Sequence, residues 1–191
     1  MTTDPIAAIQ AHFQKAREAS PHDAARAALA TRRGEGVSVR YVLVKAIEPA
    51  GLVFYTNYQS QKASELEAHP QAALAFHWWE TGVQIRVEGA VARVSSAESD
   101  AYFRSRPRGS QLGAWASPQS SPIASRAALE TRLVEVTTRF EGQDVSRPAH
   151  WGGYRLEPSM IEIWFNQVDR LHDRLRYVRD GADWSETRLA P

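Results

Sequence analysis

The chain of 191 residues contains no cysteine. Disulfides, thiolate nucleophiles and cysteine metal ligands are therefore excluded. Its 6 histidines are scattered and never fall at a ligand spacing such as H-x-x-x-H, so no metal site is expected. No apolar run approaches the roughly 20 residues that a membrane helix needs. The opening Met1-Thr2-Thr3-Asp4-Pro5 has neither the basic start nor the apolar core of a signal peptide, so a soluble cytoplasmic protein is expected. Net charge is only +1 with histidine neutral, which gives no bulk argument for a nucleic-acid or membrane partner. Any anion site must come from a local cluster. There is no internal repeat, low-complexity tract or linker. With neither G-x-G-x-x-G nor βαβ alternation present, a Rossmann-type site is not supported.

The chain does carry many short strand signals and a few helical ones. Asp4 and Pro5 read as N-cap and first turn of a helix with Ile6, Ile9 and Phe13 on one face. Ala24 to Thr31 is alanine-rich, and propensity alone predicts helix there. After the turn at Gly34-Glu35-Gly36, Val37 to Lys45 suits a strand, with Leu52 to Thr56 as its hairpin partner. Ser60 to His69 is predicted helical, stopping at Pro70; Gln71 to Trp78 and Val83 to Val94 are predicted strands, the second interrupted by Gly89. Ser95 to Glu98 is a capping box for a helix running to about Ser105, and Pro107 ends it. Residues 102–120 then read as a loop. Ser121-Pro122 opens the longest helical pattern, with Leu129, Leu133, Val136 and Phe140 on one face and Gly142 at its close. Four strands are expected at Tyr154 to Glu157, Ile161 to Phe165, Leu175 to Arg179 and Trp184 to Leu189, the last two joined at Asp180-Gly181. The sum predicts one domain over residues 1–191, an antiparallel α+β barrel.

Five segments concentrate polar chemistry. Tyr102 to Ser120 holds three arginines with hydroxyls and amides. It is either a solvated basic turn or an anion site built from guanidinium forks. Arg40 and Lys45 share a strand and are either solubilising cations or site residues. Lying five apart, they face opposite sides unless a bulge or strand end intervenes. Tyr55-Thr56-Asn57 leads into Ser60-Gln61-Lys62, either an ordinary helix cap or a phosphate cradle of free backbone N–H groups. Gln84 is a polar strand residue. Trp164 and Arg170-Leu171-His172-Asp173-Arg174 are either packing plus a charged turn or a dense set of donors.

The wording of these segments resembles the pyridoxine/pyridoxamine 5'-phosphate oxidase family. Y-F-x-S-R-P-R-G-S-Q, R-x-V-L-x-K, Y-T-N-x-x-S-x-K and R-L-H-D-R all occur, and the similarity runs from about Val37 to Pro191. The resemblance implies a split β-barrel that dimerises, with FMN at the interface, and places a strand at Ala28 to Thr31. It implies substrate-phosphate contacts from Lys45, Tyr102, Arg106 and Ser110, and makes Arg170 and His172 catalytic residues that bind the substrate, holding its pyridine ring and C4' oxygen or nitrogen over the flavin. It implies FMN contacts from Arg40, Lys45, Tyr55, Thr56, Gln61, Lys62, Gln84, Gln119, Ser120, Trp164 and Arg174. Two positions depart from the family pattern, which has arginine where this chain has Gln61 and Val83. The N-terminal arm of some members is expected to be absent. Trp151 to Arg155 and the terminal Arg188 to Pro191 also match and are read as fold features.

The implied activity is FMN-dependent oxidation of pyridoxine or pyridoxamine 5'-phosphate to pyridoxal 5'-phosphate, with O2 as acceptor and H2O2 as by-product. Two alternatives stand beside it: a related flavin oxidase of the same fold, such as a late phenazine-pathway enzyme, and a non-enzymatic binder of FMN or pyridoxal phosphate.

Overall fold

The structure is a computed structural model and describes residues 4–191. Helix α1 (Pro5–Ala19) starts as expected. The Asp4 carboxylate accepts from the Ile6 N–H at 3.0 Å, and Ile6, Ile9 and Ala16 are buried. The strands are β1 (Arg26–Arg33), β2 (Gly36–Glu48), β3 (Gly51–Asn57), β4 (Gln71–Trp78), β5 (Val83–Arg93), β6 (Trp151–Phe165), β7 (Asp173–Asp180) and β8 (Asp183–Leu189). All pair antiparallel in the order β3-β2-β1-β4-β5-β6-β7-β8, and a further β3–β6 pairing closes the first six into a barrel. The helices α2 (Gln61–Ala68), α3 (Ser96–Ser105), α4 (Arg108–Ala116) and α5 (Arg126–Arg139) lie in the connections. The barrel interior is the main core, built on Phe54, Phe76, Leu29, Leu74, Ile85, Leu156 and Ile161. A second cluster of Phe103, Leu112, Phe140, Val145 and Trp151 packs the later helices to one end of it.

Four expectations are corrected. The alanine-rich stretch is strand β1, not helix. It is laddered to β2 on one side and β4 on the other, with Ala27, Leu29 and Thr31 pointing inward. Two satisfied ladders and inward burial outweigh alanine's modest helix preference. The 102–120 segment is not one loop but contains α4. Leu112 and Ala116, one helical turn apart, are buried, and Leu112 packs in the second core. That burial offsets the cost of Gly109 and Gly113 in a helix.

Helix α5 begins at Arg126, where the Ser125 hydroxyl accepts from the Ala128 N–H at 3.1 Å, and not at Ser121-Pro122. At 14 residues it is shorter than the 15 of α1, and none of its residues is buried; only Val136 leans on the second core. The two strands expected around Pro158 are one strand, β6. Pro158 lies opposite Gly89 at a register shift, so its missing N–H falls where the ladder is already irregular.

The Gly89–Pro158 crossing is tight. A Cβ on Gly89 would lie 1.9 Å from the Glu157 carbonyl oxygen, a contact backbone cannot relieve locally. Gly89→Ala should therefore cost about 3 kcal/mol, the upper end of ordinary overpacking. For a domain of this size that lowers Tm by roughly 6–12 °C. Thermal unfolding of the purified variant checks this. An unchanged Tm would mean that β6 does not cross Gly89 in this register.

Candidate active site

A cavity of about 560 Å³ opens between the outer face of β2–β3 and the α3–α4 wall, lined by Lys45, Tyr55, Thr56, Tyr102, Arg106, Ser110, Gln119 and Trp151 among others. Strand alternation delivers Lys45. Residues 38, 40, 42 and 44 of β2 face inward, while Lys45 faces out. The bulge between Val44 and Ala46 does not bring Arg40 to the same side, so the two cations point opposite ways. Helix α3 ends at Ser105, and Arg106 follows as its C-cap with extended backbone. Its guanidinium lies over the Trp151 ring at 4.5 Å and the Phe103 ring at 5.5 Å. The Tyr55 and Tyr102 rings stack at 3.9 Å, and Tyr55 also stacks on Trp151 at 5.5 Å. Gly153 admits this stack, since a Cβ there would lie 2.8 Å from the Tyr55 ring.

The electrostatics of this cavity are one-sided. The Arg106 Nη1 is buried without a hydrogen-bond partner. Burial pulls the Arg106 pKa down, and burial together with the neighbouring Arg106 charge lowers that of Lys45. Among the cavity-lining residues there is no carboxylate. Two neighbouring, partly desolvated cations without a counter-ion among the lining residues are an unfavourable arrangement unless an anion joins them. Of the three arginines in this segment only Arg106 serves the cavity. Arg108 instead donates to the Phe140 and Gln143 carbonyls and caps the end of α5, while Arg104 is exposed.

A second cationic point adjoins it at the start of α2. The Lys62 ammonium donates to Thr56 Oγ1 at 3.2 Å, Ser60 Oγ at 3.2 Å and Gln119 Oε1 at 3.0 Å, all neutral acceptors. Burial, and then the Arg40 charge, lower its pKa to about 8. Ser60, buried at the N-cap, makes no side-chain cap bond, so free N–H groups of α2 point the same way. Arg40 and Gln61 do not point there. Both are bound to Glu65, whose carboxylate accepts from Thr31 at 2.5 Å, Ser38 at 2.7 Å, Arg40 at 2.8 Å and Gln61 at 2.8 Å. Burial would raise the Glu65 pKa, but these donors outweigh it and hold it at about 2. Glu65 and Trp151 went unassigned to any site in the sequence. Glu65 shows only as the i+4 neighbour of Gln61, and Trp151 carries no periodic signal at all.

The remaining candidates lie elsewhere. Gln84, Trp164 and Arg174 form one row across β5, β6 and β7. His172 packs on Trp164 with ring centroids 4.4 Å apart, and Arg174 is ion-paired to the buried Glu162. Trp151 opens β6 and Trp164 stands one residue before its end, so about 40 Å of extended chain separates this row from the cavity. Among the described residues, the non-glycine positions in left-handed backbone are Ser120 (φ 70), Asp169 (φ 55) and Arg170 (φ 61), and two of these three are expected site residues. Such backbone persists only where its surroundings over-determine it, and it concentrates at functional segments. The outer face of β2 is apolar and bare: Val37, Val39 and Tyr41 are 83%, 69% and 77% exposed.

The sequence matches known proteins along its whole length. The family described as pyridoxamine 5'-phosphate oxidase matches residues 13–140, and that described as the pyridoxine 5'-phosphate oxidase C-terminal dimerisation region matches 151–191. The pyridoxine/pyridoxamine 5'-phosphate oxidase of Rubrobacter xylanophilus is 51% identical over 98% of this chain and 87% of its own. That of Sphingopyxis alaskensis is 47% identical over 100% and 89%. Among solved structures, PhzG from Burkholderia lata 383, in complex with tetrahydrophenazine-1-carboxylic acid, superposes with a TM-score of 0.93 at 34% identity, covering 99% of this chain and 93% of that one. An FMN-binding protein from Nostoc punctiforme gives 0.78 at 18% identity, covering 100% of both chains, and shares the fold.

The Lys62 site makes a pH prediction. Free, its ammonium loses its proton above about pH 8. A phosphate dianion beside it favours the charged form and raises that pKa, so binding takes up a proton in the interval between the two values. Affinity for a phosphate monoester at this site should hold up to about pH 8, then fall by up to about tenfold per unit above it. Titration of the ligand-free protein with FMN at pH 7 and pH 9 measures this. Lys62→Met should bind more weakly and lose this component of the pH dependence. A wild-type affinity equal at both values would place the phosphate elsewhere.

Proposed function

Because the chain belongs to the pyridoxamine 5'-phosphate oxidase family, we propose that it oxidises pyridoxine 5'-phosphate or pyridoxamine 5'-phosphate to pyridoxal 5'-phosphate with FMN as cofactor. The observation that carries the substrate assignment is the half-buried Arg106, whose Nη1 is buried without a partner, beside Lys45 and with no carboxylate lining the cavity. A phosphate monoester supplies the missing charge and enough oxygens for Arg106, Lys45, Ser110 and the Tyr102 hydroxyl together. The Lys62 cradle at the start of α2, with Thr56 and Gln119, fits the cofactor's phosphate. Held by these residues, FMN would supply the redox chemistry, the capacity to take a hydride from C4' of the substrate and to pass two electrons to O2 as H2O2. The chain's own residues bind, orient and exclude water: the Tyr55–Tyr102–Trp151 stack walls the cavity, and the clamped phosphate fixes where C4' lies.

One chain does not bring all the parts together. We assign the Gln84–Trp164–Arg174 row, with Arg170 and His172, to the site of a partner subunit in a homodimer. The bare face of β2 and the match of residues 151–191 to a dimerisation region support that assembly. The Lys62 cradle of one subunit and the Trp164 row of the other would then hold FMN between them.

A carboxylate substrate is the alternative with a specific basis, since the structure of PhzG holds tetrahydrophenazine-1-carboxylic acid. A carboxylate brings one negative charge to the two cations Arg106 and Lys45, whereas a phosphate monoester brings up to about two, so the phosphate is preferred here. Flavin released from the purified protein should be FMN, near one per chain. The bound flavin should bleach anaerobically with pyridoxine 5'-phosphate but not with a tricyclic carboxylic acid; the reverse would favour the alternative. Arg106→Ala should raise KM for the phosphorylated substrate about 10- to 150-fold, the worth of one charge-assisted hydrogen bond, with FMN retained. An unchanged KM would show that Arg106 does not hold the phosphate.

A further inference from the structure

We propose that His172 is held as the neutral imidazole with its proton on Nε2, and that it serves the substrate as a fixed hydrogen-bond donor, not as a proton acceptor. This rests on the proposed placement of the Arg170–His172 segment over the substrate. His172 Nδ1 lies 3.2 Å from the backbone nitrogen of Gln167, whose N–H points at the ring. A backbone N–H can only donate, so Nδ1 must offer a lone pair. In a neutral ring the proton is then on Nε2. The assignment follows from the identity of the partner and needs no hydrogen to be located.

The surroundings reinforce it. The Asn166 N–H donates to the Gly82 carbonyl at 2.8 Å, and the Leu171 N–H to that of Val168 at 3.1 Å. Between them Asp169 and Arg170 take left-handed backbone, which turns the chain sharply enough for His172 to reach back to Gln167. The ring is braced against Trp164. Nearby carboxylates are engaged elsewhere, Asp173 with Arg188 and Glu162 with Arg86 and Arg174, while the exposed Asp169 makes no bond to the ring. Where a histidine acts as a base, the far nitrogen carries the proton and donates it to a carboxylate or carbonyl, leaving the near nitrogen free to accept. Here the polarity is reversed. Protonating Nδ1 would set one N–H against another and release the turn that carries Arg170. With Nδ1 engaged, Nε2–H is the edge left for a lone pair on the substrate's oxygen or nitrogen.

The test has two arms. In the first, 15N-histidine NMR of the intact FMN-loaded protein is recorded at pH 8, above the ordinary histidine range. The His172 resonances are identified by their loss in His172→Asn. A protonated Nε2 with a bare Nδ1 is expected; a protonated Nδ1 overturns the inference. In the second, kcat/KM is compared for His172→Gln, whose amide N–H can stand near the Nε2 position, and His172→Asn, whose amide can occupy only the Nδ1 position. The glutamine variant should stay within about tenfold of wild type and well above the asparagine variant, which loses the donor. Equal losses of about 10²- to 10⁴-fold in both would mark a general base and contradict the donor role. Should the protein prove not to oxidise the phosphorylated substrate at all, the NMR arm still decides the tautomer, so the two failures remain distinguishable.

Discussion

About 40 Å of unbroken strand separates the two groups of site residues, because β6 runs without a break from Trp151 to Phe165. Its early half pairs with β3 and closes the barrel, which fixes the cavity at the Trp151 end. Its later half pairs with β7 and carries Trp164 and the His172 turn away from that cavity. The continuity depends on one crossing, where Gly89 lets Pro158 pass without ending the strand. A chain built this way holds the Arg106–Lys45 cavity at one end and an aromatic–imidazole shelf at the other. A second copy in register is the simplest way to bring the two together. The exposed Val37, Val39 and Tyr41 on β2 are the surface such a copy would cover.

The cavity and its neighbourhood concentrate cations that have no acidic partner among the lining residues. Arg106 and Lys45 lie side by side, each partly desolvated, and Lys62 has only neutral partners. Elsewhere the chain pairs its buried charges: Arg40 with Glu65, Arg174 with Glu162. The contrast separates the site from structural ion pairs, since a buried cation is retained without a partner only where its ligand is the partner. The Glu65 network also accounts for the Gln61 departure. Gln61 is turned along α2 to Glu65, so the loss of a guanidinium at this position removes a charge from the neighbourhood of the cradle without removing a donor from its centre.

Much of the site was legible in the sequence because its residues sit in short contiguous segments. Seven of the residues expected from the family resemblance line the cavity: Lys45, Tyr55, Thr56, Tyr102, Arg106, Ser110 and Gln119. What stayed hidden depends on which way a side chain points. The opposite facing of Arg40 and Lys45, and the diversion of Arg108 to cap α5, are settled by pairing and packing that local pattern does not encode. The same holds for the fold. Asp4-Pro5, the Ser95–Glu98 box and the Asp180-Gly181 turn act within a few residues and are correctly placed. Strand β1 and helix α4 are decided by distant partners, and there propensity and glycine content mislead.

The central claim is that a complete site takes the phosphate clamp from one chain and the Arg170–His172 shelf from another. Mixing Arg106→Ala and Arg170→Ala proteins under conditions that exchange subunits, with activity read well below the wild-type KM where each variant alone is impaired, tests it most directly. In a twofold dimer each hybrid then has one site with both residues intact, so a random mixture should recover roughly a quarter of wild-type activity. No recovery, with hybrid formation verified by tagged subunits, would mean that clamp and shelf belong to the same chain and would contradict the composite site.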